Sequence, residues 1–123
     1  LIKSVLGKNS KSAYQGRIFV NSKAQKTDGY QLSKAILLHE TSEFNAKPEL
    51  EIYADDVKCT HGATIGQLDE KGIFYLRARG IKREDAQKMM MRAYIGEVLK
   101  GMKHKKAKEI LLEKIIDNIP DGD

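Results

Sequence analysis

The chain has 123 residues, 41% of them hydrophobic and 32% charged, with 22 Lys and Arg against 17 Asp and Glu for a formal net charge of +5. That length suits one domain whose core needs no disulfide, and the single cysteine excludes an internal one and fits a reducing, cytoplasmic setting. No apolar run approaches the length of a membrane span. The charge is uneven: residues 1–70 hold 9 basic and 9 acidic side chains, so residues 71–123, with 13 against 8, carry the whole excess. These positive charges are interleaved with Glu and Asp, aromatics are few and Trp is absent. A solvated helix face is therefore favoured over a nucleic-acid surface, which would want a phosphate-tracking stripe and stacking rings.

The chain opens Leu1-Ile2-Lys3, without an initiator Met or a signal-peptide pattern, and reads as an excised fragment. Up to about residue 67 the pattern is strand-like, with β-rich runs at 17–20 (RIFV), 35–38 (AILL), 50–53 (LEIY) and 57–61 (VKCTH). Polar or glycine-bearing stretches at 21–29 and 39–48 separate them. Strands without helices between them suggest a hairpin sheet, a sandwich or a solenoid coil.

From Asp69 the period becomes helical. Asp69-Glu70 place acidic groups where a helix N-terminus favours them, and Gly80 is a good residue to end that helix because it tolerates positive φ. A second helix is expected over 83–102, apolar on more than one face and so mostly buried. A third is expected over 105–119, with Leu111, Leu112, Ile115, Ile116 and Ile119 as one stripe, ended by Pro120 and Gly122.

Chemistry concentrates in EIYADDVKCTHGATIG, residues 51–66. Cys59 and His61 are two apart, and side chains two apart on a strand share a face. A thiolate and an imidazole are soft and borderline ligands for iron, zinc or sulfur chemistry; a free cysteine is more commonly a small buried hydrophobe. Both readings stay open, and two ligands alone make an incomplete site. Asp55-Asp56 point to opposite faces of a strand and read as a turn signal rather than an acid/base pair. The Met89-Met90-Met91 run reads as helix packing, and His39 and His104 as surface groups. No Walker loop, GxSxG, HExxH or paired CxxC is present, so the chain has no nucleotide-hydrolysis motif of its own.

The stretch QGRIFVNSKAQKTDGYQLSKAILL, followed by KPELEIYADDVKCTHGATIGQLDEKGIFYLRARGI, resembles the C-terminal part of the SufB/SufD family of iron–sulfur cluster assembly scaffolds. The Cys-x-His-Gly-Ala-Thr form at residues 59–64 resembles the SufD branch. The resemblance implies a fold class, mainly β plus α: the last coils of a right-handed parallel β-helix in residues 1–67, then a helical domain in 68–123. It implies a non-enzymatic scaffold whose helical part docks the SufC ATPase, with Phe74, Tyr75, Arg77, Arg79, Gly80 and Tyr94 as the docking residues. It further implies pairing with a SufB-type paralogue or a second copy. His61, with Cys59 beside it, would then face a shared interface where an iron–sulfur cluster is assembled transiently, no cofactor residing in this segment alone. The alternatives are a pure interaction module without chemistry at this pair and, less favoured, a nucleic-acid-binding domain.

Overall fold

The computed structural model describes residues 1–119. The elements are β1 (Ile2–Leu6), β2 (Lys11–Val20), β3 (Asp28–Leu37), β4 (Glu43–Ile52), β5 (Lys58–Gly66), α1 (Glu70–Arg77), α2 (Arg83–Gly96) and α3 (Lys105–Ile116). On β3 the period of two is plain: Gln31, Ser33 and Ala35 are buried while Leu32 and Lys34 between them are not. β3 pairs in parallel with β1 (Ser33 opposite Ile2) and with β5 (Gln31 opposite His61). β2 pairs in parallel with β4, from Lys11 opposite Glu43 to Val20 opposite Ile52. Consecutive strands therefore lie in different sheets, one of three strands ordered β1-β3-β5 and one of two.

Leu6 and Ala35 from the larger sheet meet Phe44 from the smaller, with Tyr14, Leu37 and Ala46 packed around them. Fully burying a Leu or Phe side chain contributes about 1.5–3 kcal/mol, so this cluster holds the sheets together at one end. Gly16 matters at the same interface. A Cβ there would collide with the Tyr14 hydroxyl and close on the Gln31 amide, and it is the Gly16 carbonyl that accepts the Gln31 side-chain N–H at 3.2 Å.

The strands are longer than their apolar runs. β1 lies outside every predicted run, and the stretch 39–48 is no continuous loop, since β4 begins at Glu43 and contains Pro48. A two-stranded sheet leaves each strand one free edge, where the missing N–H of a proline is tolerated. Asp55-Asp56 do form a bend. The Asp56 carbonyl accepts the Lys26 N–H at 2.6 Å, its carboxylate pairs with the Lys26 ammonium, and its N–H donates to the Gln25 side-chain oxygen at 2.9 Å.

The expected fold class is corrected by this architecture. In place of parallel β-helix coils leading into a separate helical domain, the chain forms a small α/β domain of two parallel sheets and three helices. The five strands are divided three and two between the sheets, and the helices follow them directly. The helices are also fastened directly to the first strand, where the Lys3 ammonium donates to the Tyr94 carbonyl at 2.6 Å and pairs with Glu97.

The helices start where local chemistry places them. The Asp69 side chain accepts the Lys71 N–H at 3.0 Å, capping α1 with Glu70 in the first turn, and Gly80 follows at φ +85°. α2 is shorter than expected and is not mostly buried. Only Ala86, Met91 and Ile95 are covered, while Met89, Ala93 and Val98 are exposed. Three helices are too few to wrap a helix on two faces. The α3 stripe is likewise open: no α3 residue is fully buried, and Leu111 and Ile115 are exposed. The Pro120 and Gly122 stop signals lie outside the described residues.

Candidate functional site

β5 is an edge strand of the larger sheet, which decides the character of the Cys59–His61 pair. Parallel in-register partners point to the same side, so Cys59 follows Gly29 and His61 follows Gln31. Gln31 is turned toward the smaller sheet, where it reaches the Gly16 carbonyl. The same face carries Cys59, His61, Ala63 and Ile65 along β5. What is closed over β3 is open over β5: His61 and Ala63 are exposed, and Ile65 is 51% exposed.

The two residues differ in their surroundings. Cys59 is half-buried, and a Cβ built on Gly29 would lie 3.5 Å from its Sγ and 3.7 Å from the Ile18 side chain. The sulfur thus lies beside Gly29 at a spacing where even a Cβ would make only ordinary van der Waals contact. His61 has no such enclosure and presents its imidazole to solvent. Among the described residues, no three His, Cys, Asp or Glu side chains converge as a metal-holding group. The donor set is one thiol and one imidazole on one strand face, which fits half of a four-coordinate site.

The predicted docking residues fall into two places. Phe74 is 73% and Tyr75 56% exposed on α1. The Arg79 guanidinium lies 3.5 Å from the centre of the Tyr75 ring and donates to the Tyr75 carbonyl at 3.4 Å. Arg77, Arg79 and Gly80 are also exposed. Solvent-exposed aromatics beside a stacked arginine are the residue types that dominate protein interfaces.

Tyr94 is instead turned toward β1. The Lys3 ammonium sits 4.0 Å from the centre of its ring, and the Lys3 side chain is only 2% exposed. Burial, and then the charge of Glu97, push the Tyr94 hydroxyl up to about 12. The Lys3 hydrogen bond holds the Glu97 carboxyl below its ordinary value. Nothing local marks Lys3 for this role, because its partners lie 91 and 94 positions away.

The remaining histidines are structural. The His39 ring nitrogen Nδ1 contacts the Thr41 hydroxyl at 2.8 Å and accepts the Thr41 N–H at 3.1 Å. His104 Nδ1 accepts the Ala107 N–H at 3.1 Å and so caps α3. Its position just ahead of an apolar-periodic segment is the signal for that cap. Among the described residues no helix is long and apolar enough to cross a membrane.

Comparison with known proteins adds to this geometry. A family model described as SUF system FeS cluster assembly, SufBD core domain, matches residues 1–94. The chain is 40% identical over 122 residues to the iron–sulfur cluster assembly protein SufD of Escherichia coli, covering 99% of this chain and 29% of that protein. It is 40% identical over 99 residues to an iron–sulfur cluster assembly SufBD family protein of Synechocystis, covering 80% of this chain and 22% of the relative. It is 37% identical over 101 residues to the chloroplastic protein ABCI7 of Arabidopsis thaliana, covering 82% and 21%. The chain thus spans less than a third of the length of each of these relatives.

Proposed function

The chain belongs to the SufBD core family of the SUF iron–sulfur cluster assembly system, and from that premise we propose that it is a SufD-like scaffold element contributing half of an interfacial site. The observation that carries the proposal is the placement of His61 and Cys59 on one face of an open edge strand, with no third ligand converging on them among the described residues. The iron–sulfur cluster is the cargo of the site rather than a resident cofactor. Its remaining ligands come from a partner's strand edge, supplied by a SufB-type paralogue or a second copy. An unpaired strand edge offers the backbone donors and acceptors for such pairing. The exposed imidazole is the accessible ligand. Cys59, half-buried against Gly29, joins it when the partner reshapes the edge.

In this reading the scaffold has no reaction of its own and works beside a SufC-type ATPase in the cytoplasm. Residues 68–123 form the docking part, with Phe74, Tyr75, Arg77 and Arg79 as its contact surface and Gly80 ending the helix that presents them. Tyr94 serves as a link to β1 rather than as a contact. Movement of the helices by the ATPase would be carried to the larger sheet through Lys3, and a designed disulfide locking helices to sheet should block cluster assembly while sparing ATPase binding.

The deciding experiment replaces His61→Ala and Cys59→Ala separately in the full-length protein and measures complex formation and cluster assembly side by side. Loss of assembly in the His61 variant with an intact complex supports the shared site. Full assembly in both variants would leave a pure interaction module.

A further inference from the structure

The segment from Val98 to Lys108 lies within the helical docking part but contributes none of the contact residues named for it. It carries Lys100, Lys103, Lys105, Lys106 and Lys108 with no acidic residue among them, and it lies beyond the 94 residues that match the family model. All of these lysines are exposed except Lys108, which is half-buried. Among the described residues, none of the five is within ion-pairing distance of a carboxylate; the ion pairs of the fold use other cations. The placement also works against the helix. α3 has no acidic residue in its first turn and has Lys105 and Lys106 there instead, where the helix dipole disfavours positive charge. After the Lys3 hydrogen bond, Lys100 helps to hold the Glu97 carboxyl low, but the other four lysines have no ion-pair partner among the described residues, and Lys105 and Lys106 are locally unfavourable.

Its surroundings indicate the kind of partner. Val98, Met102 and Ile110 are exposed apolar side chains flanking the lysines. No Arg follows Arg92 and no aromatic residue follows Tyr94. Planar, bidentate recognition of nucleic-acid phosphates or of protein carboxylates draws on arginine, protein interfaces are depleted in lysine, and single-stranded nucleic acid wants stacking rings. Flexible ammonium groups on apolar stems, interspersed with aliphatic side chains, suit a diffuse anionic sheet into whose boundary the stems sink.

We propose that the five lysines of residues 98–108, with Val98, Met102 and Ile110 and against the one acidic residue of the stretch, Glu109, form a reversible docking surface for an anionic phospholipid bilayer, the lysines contacting headgroups and Val98, Met102 and Ile110 entering the acyl boundary. With no second anchoring signal in the described residues, the association is weak and salt-sensitive. This proposal is independent of the interfacial site at His61.

The test is co-sedimentation of the full-length protein with vesicles of phosphatidylcholine alone or mixed with phosphatidylserine. Binding is expected only to the mixed vesicles, falling as salt is raised. Each basic group near an anionic surface contributes about fivefold at low salt, so K105Q/K106Q should lower the partition coefficient about thirtyfold. The pair K100Q/K103Q should do the same, and both variants keep the wild-type urea midpoint because the side chains are exposed. Lack of binding to the mixed vesicles, or equal binding by wild type and both variants, overturns the proposal. So does a preference for RNA or poly-glutamate over the vesicles when these compete.

Discussion

Two buried polar residues on β3, two positions apart on the same face, should respond to mutation with opposite signs. Ser33 is 0% exposed and its hydroxyl has no hydrogen-bond partner; Gln31 is 9% exposed and donates to the Gly16 carbonyl at 3.2 Å. An unsatisfied buried hydroxyl costs about 1–3 kcal/mol. Ser33→Ala removes that cost and loses only the dispersion contacts of one oxygen, a handful of atom pairs at about 0.1–0.2 kcal/mol each. The net expectation is a gain of about 1 kcal/mol. Gln31→Leu gives up a satisfied bond and strands the Gly16 carbonyl, for a loss of about 1 kcal/mol. Urea denaturation of the full-length protein reads both. At a slope of about 1–3 kcal/mol per molar, each change moves the midpoint by about 0.3–1 M, upward for Ser33→Ala and downward for Gln31→Leu. A midpoint that falls in Ser33→Ala would show that the hydroxyl has a partner in solution, and the argument from its isolation would be refuted.

Further outcomes test the remaining parts of the structure. Because His61 is exposed, His61→Ala should change folding stability by less than about 0.5 kcal/mol while abolishing cluster assembly in the complex; a large stability loss on calorimetry would recast it as a structural residue. Ile73 is the fully buried residue of α1, and Ile73→Ala should cost about 2–5 kcal/mol through lost burial and the cavity left behind, measured in the same urea titration. The Arg83 hydrogen bond to Glu70 and the Lys3 hydrogen bond to Glu97 hold both carboxyls below the ordinary 4.5. A carboxylate with a lowered folded pKa contributes stability above its unfolded value and loses it as pH falls through the folded one. The melting temperature should therefore drop as pH passes below 4.5, and E70Q/E97Q should flatten that slope. An unchanged slope in the double variant would assign acid lability elsewhere.

The parts of the molecule legible in the sequence are those set by neighbours along the chain. Asp69 as a cap and Gly80 as a stop each depend on backbone groups a few residues away, and each stands where residue chemistry places it; the Asp55-Asp56 bend also stands where expected, though Gln25 and Lys26 hold it from across the chain. The facing of Cys59 and His61 to one side of a strand is equally local, since it follows from the period of two. What failed to show were features decided at long range. The short β1 and the polar starts of β2 and β4 form strands because partners lie in register across the sheet, the latter two with little apolar signal of their own. Burial of α2 was overestimated because periodicity reports which face is apolar, not whether anything exists to cover it.

Composition and pattern by themselves therefore determined the order of strands before helices, the helix starts, and a thiol–imidazole pair of a kind resembling one known family. Tertiary structure alone decided the rest: two parallel sheets in place of the expected coils, Lys3 fastened to α2 from 91 positions away, and β5 left at an edge. The physical reason is that helix hydrogen bonding and capping act within a few residues, whereas strand order and burial depend on which distant segments meet. Whether His61 is closed over or exposed was such a question, and only the sheet order could answer it.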